Sequence, residues 1–238
     1  LLFIKSATAH TTVMTISYDG KWPPYSYQLN SGKTKGILVD IVRIALSQAD
    51  LQSEAVSFPA EQAEALVKGK IISALATVPN QKQREEMVAS DPIFTIHSNA
   101  FVFKKNKKLA DLKEIASLNS LKKFKVCDYK NNAWARQQFK IHKIKALFTQ
   151  DQTECLRQIA LGRYDLTISP KEIGDQLLMA MGLRKHFIAL PYNYRSLAVV
   201  LLVDKHSELA ESLPKFNQAI KEMRKNGTIK KVIDSYIQ

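Results

Sequence analysis

Val13-Met14-Thr15-Ile16-Ser17-Tyr18-Asp19-Gly20 and Gly36-Ile37-Leu38-Val39-Asp40-Ile41-Val42-Arg43-Ile44-Ala45-Leu46 decide the fold. The first stretch is apolar and β-branched and ends in the turn pair Asp19-Gly20, so it reads as a strand over residues 13–18. The second places apolar residues at helical spacing after a glycine, so it reads as a helix over 37–46. Between them Trp22-Pro23-Pro24-Tyr25-Ser26-Tyr27 cannot be helical, because two prolines fix an extended, rigid loop. On either side the same alternation continues. Strands are predicted over 55–58, 71–78, 99–103, 124–127, 166–169 and 196–203. Helices are predicted over 61–68, 132–139, 153–161, 173–181, 208–225 and 229–237, and Pro214 either breaks or restarts the second-last of these. Alternation of this kind predicts an α/β architecture, with mostly parallel sheets covered by helices on both faces. No internal repeat is present, and the basic, weakly periodic run 104–121 is the best candidate linker.

The 238 residues make one large domain or two small ones. Hydrophobic residues at 45% and charged residues at 24% fit an ordinary globular chain. Two Cys exclude a disulfide scaffold and a four-cysteine structural zinc site. There is no apolar run of the roughly 18 residues that a membrane span needs. Lys and Arg number 35 against 22 Asp and Glu, a net charge of +13. Such a surplus attracts nucleic acid, anionic lipid or acidic polymers without specificity. Its lysines lie in several segments, among them 104–108, 122–125 and 140–145, and no nucleic-acid-binding signature accompanies them. The charge alone therefore does not define a nucleic-acid partner. At the amino end, Ala7-Thr8-Ala9 follows an apolar stub and has the small-x-small form of a signal-peptidase site. It is either the tail of an export signal or a plain first turn or strand.

Enzymatic motifs are missing. None of the five His stands at metal-ligand spacing from another His, Cys or Glu. No glycine-rich loop follows a strand, and there is no nucleophile elbow. Cys127 and Cys155 are either two buried thiols or one disulfide between a strand and a neighbouring helix.

Seven short motifs stand in a telling order. They are the aromatic loop 22–27, Gly36-Ile37-Leu38-Val39-Asp40-Ile41, Leu66-Val67-Lys68-Gly69-Lys70, Asn80-Gln81-Lys82-Gln83-Arg84 and Ser90-Asp91-Pro92. Later come Cys155-Leu156-Arg157-Gln158-Ile159-Ala160-Leu161-Gly162-Arg163-Tyr164-Asp165 and the run from Phe216 through Asn226-Gly227 to Tyr236. In this order and spacing, over about residues 13–238, the chain resembles the bacterial extracellular solute-binding proteins of family 3, the polar amino-acid receptors of ABC importers. The resemblance implies a two-lobed type II periplasmic-binding-protein fold, with two sheets flanked by helices and joined by two hinge strands. Lobe one would comprise residues 13–103 and 197–238 and lobe two 104–196, with 1–12 an extension or signal remnant. It further implies a periplasmic, monomeric receptor that closes on an amino acid or small carboxylate and serves an inner-membrane permease. Neither catalysis, cofactor nor a specific nucleic-acid partner is implied.

The resemblance also implies a set of ligand-binding residues. Arg84 matches an arginine that clamps the ligand carboxylate, for which a guanidinium fork is the fitting group; the alternative is a surface Arg pairing with Glu85 or Glu86. Thr77, seven positions earlier, matches a hydroxyl donor, or is an ordinary strand Thr. Asp19, Trp22 and Tyr25 match the first loop, or the two aromatics are core beside the Pro-Pro turn. In lobe two, Lys130 and Asn131 occupy the loop at a helix amino terminus, where N–H groups meet carboxylates, or belong to a solvated loop. Ser169 lies in the stretch 167–170, where family members place the acid that receives the ligand ammonium. No acid stands there, and Glu172 is only a nearby substitute. Two rival implications share the fold. One is a ligand-sensing domain of a membrane signalling protein. The other is a cyclohexadienyl or arogenate dehydratase-like enzyme, using Asp19, Lys130 or Glu172 as acid or base.

Overall fold

The computed structural model describes residues 13–237, so the export-signal reading of Ala7-Thr8-Ala9 lies outside the described residues. The chain divides into two compact units. One holds residues 13–94 and 198–236, the other Thr95–Leu197. Both changeovers fall inside strands, the first nine residues before the boundary after residue 103 expected for lobe one.

In the first unit, β1 (Val13–Tyr18), α1 (Ile37–Gln48), β5 (Gln52–Ser57), α2 (Ala60–Lys68) and β6 (Ala74–Thr77) form right at the predicted alternation. β1 lies parallel to both β5 and β6, with Ile16 level with Ala55 and Ala74. The sheet is mixed rather than mostly parallel. β13 (Arg195–Val203) runs antiparallel to β6, and the short β7 (Val88–Ala89) antiparallel to β13. Between β1 and α1 the chain makes a small antiparallel sheet of β2 (Lys21–Trp22), β3 (Ser26–Gln28) and β4 (Thr34–Lys35). The Pro23–Pro24 bond is cis. The carbonyls of Pro24 and Tyr25 accept the first N–H groups of α1, from Ile37 at 3.0 Å and Leu38 at 2.9 Å. These donors would otherwise be orphaned at a helix start. Gly36 makes this seat possible: its φ is +140°, and a Cβ there would stand 2.2 Å from the Tyr25 oxygen.

Two helices close this unit, α8 (Glu208–Lys225) and α9 (Thr228–Tyr236). Pro214 does not break α8. A proline inside a helix costs about 3 kcal/mol. Leu209, Leu213, Phe216, Ala219, Ile220 and Met223 are all buried along one stripe, and most contribute roughly 2 kcal/mol each. The stripe outweighs the proline, whose ring is exposed.

The second unit opens with β8 (Phe94–Phe103) and the short α4 (Leu109–Lys113), then α5 (Ala133–Ile141) after β9 (Val126–Tyr129). The segment read as a linker therefore contains a helical turn, held by the buried Leu112 and Ile115. β10 (Ala146–Thr149), α6 (Gln152–Ala160), β11 (Leu166–Pro170), α7 (Lys171–Ala180) and β12 (Phe187–Ala189) follow. β10 and β11 flank β9 in parallel, and β8 pairs antiparallel with β11 and β12. Cys127 and Cys155 form a disulfide with Cα atoms 5.6 Å apart, tying β9 to α6.

The disulfide closes a separation of 28 residues, which in the chain-entropy account is worth about 3–4 kcal/mol. A Cys127→Ala/Cys155→Ala variant should lose about that much in denaturant unfolding. Trp134 fluorescence in a Trp22→Phe background reads the second unit alone. An unchanged midpoint would show that the bridge adds nothing to this unit.

Candidate functional site

Parallel pairing sends chain segments that are distant in sequence out of the same edge of a sheet. In the first unit the carboxy ends of β1 and β6 meet there. Asp19 follows β1, and Thr77 ends β6 in the register that pairs Ser17 with Leu75. Ligands of open α/β sheets collect at such carboxy edges.

Asp19 is exposed and its Oδ1 accepts the Lys21 N–H at 2.8 Å, shaping the turn into the aromatic loop. Trp22 is half-buried with its ring 4.7 Å from that of Tyr25. Tyr25 is fully buried, and its ring also faces Phe94 at 5.7 Å. The Tyr25 ring is thus core that braces Trp22. Thr77 is half-buried.

Beyond β6, α3 (Gln81–Glu86) begins with a reciprocal cap. The Gln83 N–H donates to Asn80 Oδ1 at 2.9 Å, and the Asn80 N–H to Gln83 Oε1 at 3.0 Å. Gln83 is buried and donates onward to Glu64 at 2.9 Å. The cap explains the motif at 80–84: it fixes a single helical turn on which Arg84 stands exposed. The acids that could have neutralised Arg84 are engaged elsewhere. Glu85 accepts from Gln81 at 3.0 Å, and Glu86 pairs with Lys68 and Lys82. Among the described residues no carboxylate pairs with the Arg84 guanidinium.

In the second unit the parallel strands β9, β10 and β11 end at one edge, each followed by a helix. The Asn132 side chain accepts from the Ala135 N–H at 3.1 Å and caps α5; Asp151 caps α6 in the same way at 2.8 Å. Lys130 and Asn131 are exposed in the loop before α5, and the Lys130 N–H donates to Thr149 O at 3.0 Å. Ser169 is buried near the end of β11. Downstream, Asp175 is buried and taken by Lys171 at 2.6 Å and Arg184 at 2.9 Å. It offers no acid to replace the one absent from 167–170, and Glu172 is half-exposed on the first turn of α7.

One residue at this edge escaped sequence reasoning. Asp128 is buried in β9, and its Oδ1 accepts from the Tyr129 N–H at 2.8 Å and Asn132 Nδ2 at 3.0 Å. Its Oδ2 has no partner among the described residues. Burial raises its pKa to about 7, against the smaller opposing pull of those two donors. A signal was available: an acid inside an apolar strand, beside Cys127. Thr149 belongs to the same cluster, with its Oγ1 2.7 Å from Asp151 O and 3.2 Å from Cys155 Sγ.

Among the described residues no three His, Cys, Asp or Glu side chains gather to hold a metal, and no helix is long and apolar enough to cross a membrane. The family model described as "Bacterial extracellular solute-binding proteins, family 3" matches residues 14–238. The probable amino-acid-binding protein YxeM of Bacillus subtilis (strain 168) is 25% identical over 239 aligned residues, covering 97% of this chain and 86% of that protein. Among solved structures, the L-cystine solute receptor of Neisseria gonorrhoeae in its unliganded open conformation is similar with a TM-score of 0.77. It is 16% identical and the match covers 96% of this chain and 93% of that one. The second substrate-binding domain of Lactococcus lactis GlnP gives 0.72 at 17% identity, over 94% and 95%. A histidine kinase sensor domain with similarity to periplasmic binding proteins gives 0.59 at 16% identity, over 94% and 96%. The fold is that of the two-lobed type II periplasmic binding proteins.

Asp128 gives this site a pH signature. Its carboxyl titrates near 7 when folded and near 4 when unfolded. Between those values the folded chain keeps a proton that the unfolded chain has released, so this contribution to stability falls as pH rises from about 4 to about 7. Asp128→Asn should remove that decline and melt several degrees above the parent at pH 8. Parallel pH–Tm curves for the two proteins would refute the assignment.

Proposed function

The chain belongs to the bacterial extracellular solute-binding proteins of family 3, and we propose that within that family it is the envelope receptor of an ABC importer. Its ligand is an amino acid or a related small carboxylate. The observation that carries this reading is the exposed Arg84 guanidinium, unpaired by any described acid and held on a capped turn beside the end of β6. A guanidinium with no acid partner is available to pair bidentately with a carboxylate.

In this reading the first unit takes the ligand on Arg84 and Thr77, with Trp22 as a flat wall and Asp19 at the turn. The second unit contributes Lys130, Asn131 and Ser169, and hinge closure on the ligand produces the form that the permease reads. Nothing reacts. The binding names of the family and of its Bacillus subtilis relative support a receptor over an enzyme. The likeness to a histidine kinase sensor domain supports a second reading, a ligand sensor on the same fold. The full-length gene separates the two.

A thermal-shift screen over amino acids, dicarboxylates and small peptides finds the ligand, since binding to the folded state raises Tm by mass action. Arg84→Ala should then weaken that ligand by about 100-fold or more, the loss of two charge-assisted hydrogen bonds. Its unliganded Tm should stay within about 2 °C of the parent, because an exposed cation adds little to folding. Arg84→Lys should not restore affinity, since an ammonium lacks the fork. Full binding by Arg84→Ala, or its collapse without ligand, would contradict the proposal.

A further inference from the structure

The surplus of positive charge is unevenly placed. Residues 95–197 carry 19 Lys and Arg against 8 Asp and Glu, a net of +11 out of the whole chain's +13. The sheet of the second unit sorts that charge further. Val126 of β9 is level with Ala146 of β10 and Leu166 of β11. Leu166 faces Val102 of β8, and so does Ile188 of β12. These five residues form one row across the sheet. The segments just before 126, 146, 166 and 188, and the segment just after 102, therefore emerge at one edge. It is the amino edge of the parallel strands, opposite the one that carries Lys130, Asn131 and Ser169.

Cations crowd this edge. Four lysines lie between Lys104 and Lys108 and three between Lys122 and Lys125. Lys143 and Lys145 precede β10, Arg163 precedes β11 and Lys185 precedes β12. All eleven are exposed. Three acids share the region. Asp111 and Glu114 are exposed, while Asp165 is buried and accepts from the Lys125 N–H at 2.8 Å, Lys108 Nζ at 2.9 Å and Asn106 Nδ2 at 3.1 Å. Compensating the carboxy ends of α5, α6 and α7 would take a cation or two per helix, far fewer than eleven. A cavity of about 440 Å³ opens here, lined by Lys105, Lys107, Lys108, Lys125 and Leu161. Two large apolar side chains stand out among the lysines. Ile141 ends α5 and Leu161 comes just after α6, and each is 60% exposed.

We propose that this edge of the second unit docks on an anionic membrane surface, with lipid phosphates drawn to the lysines and Ile141 and Leu161 entering the headgroup boundary. A polybasic cluster that also exposes aliphatic side chains has the composition of an interfacial membrane contact. Ten of the eleven cations are Lys, point charges suited to a diffuse surface, where Arg forks would read individual phosphates. Single-stranded nucleic acid would ask for exposed rings on which to stack bases. The exposed large aromatic of this unit, Tyr192, lies beyond the far end of β12. Exposed aliphatic residues serve neither a nucleic acid nor a soluble polyanion.

The test is co-sedimentation of the full chain with phosphatidylcholine vesicles, with and without phosphatidylglycerol. Binding should require phosphatidylglycerol and fall at least tenfold from about 50 to about 200 mM salt. At roughly fivefold per lysine, Lys104→Gln/Lys105→Gln/Lys107→Gln/Lys108→Gln should weaken it about 100-fold or more. A control with Lys215, Lys221, Lys225 and Lys230 changed to Gln should bind as the parent does. Ile141→Ser/Leu161→Ser should weaken vesicle binding about tenfold while leaving the weak association with duplex DNA unchanged. Circular dichroism melting establishes that each variant folds. The proposal fails if phosphatidylglycerol confers no binding, if the control loses as much as the edge variant, or if the apolar substitutions leave vesicle binding intact. Tighter binding to duplex DNA than to vesicles would also overturn it.

Discussion

Parallel strand pairing is the constraint on which the molecule depends. Because β1 lies parallel to β6, and β9 to β10 and β11, each unit gathers its strand ends along one edge. Asp19 and Thr77 are 58 positions apart in sequence and leave the first unit together. Lys130, Thr149 and Ser169 do so in the second. A slip of one residue in β6 would turn Thr77 to the other face of the sheet and displace the turn that carries Arg84.

The segments that leave these strand ends are held rigidly, and by different means in the two units. In the first, backbone carbonyls of the cis Pro-Pro loop seat α1, and a reciprocal Asn80–Gln83 cap fixes α3. In the second, a disulfide joins β9 to α6, while Asp128 and Asn132 bind each other beneath the start of α5. Rigid edges lower the ordering cost of taking a small ligand, which leaves more of the contact energy as affinity. The cost falls at Asp128, a carboxyl buried with one oxygen unpartnered among the described residues.

The alternation of strands and helices was legible because apolar runs such as Val13–Tyr18 and the stripe of α1 carry their period openly. The short elements were not. β10 (Ala146–Thr149) has only four residues, with Leu147 exposed, and α3 is a single turn made by a cap rather than by periodicity. The antiparallel partners of each sheet were invisible too, since strand direction depends on contacts far away in sequence. At the candidate site, the residue types that match the family pattern were readable, Arg84 above all. The pairing of Glu86 with Lys68 was not, because Lys68 reaches over from another helix. The burial of Tyr25 followed from its neighbours Trp22 and Phe94, the second of which lies far along the chain. Whether Cys127 and Cys155 were joined turned on the approach of β9 to α6, which spacing alone leaves open.

The crowded lysines and the candidate ligand residues thus lie at opposite edges of the second unit's sheet, and in the first unit Arg84 is an exposed cation with no acid partner among the described residues. The role of Arg84 is tested by a crystal structure of the protein with the amino acid or carboxylate that raises its Tm most. The ligand carboxylate should be held by both arms of the Arg84 guanidinium at about 2.7–2.9 Å. A bound ligand whose carboxylate sits elsewhere, with Arg84 still in solvent, would contradict that role.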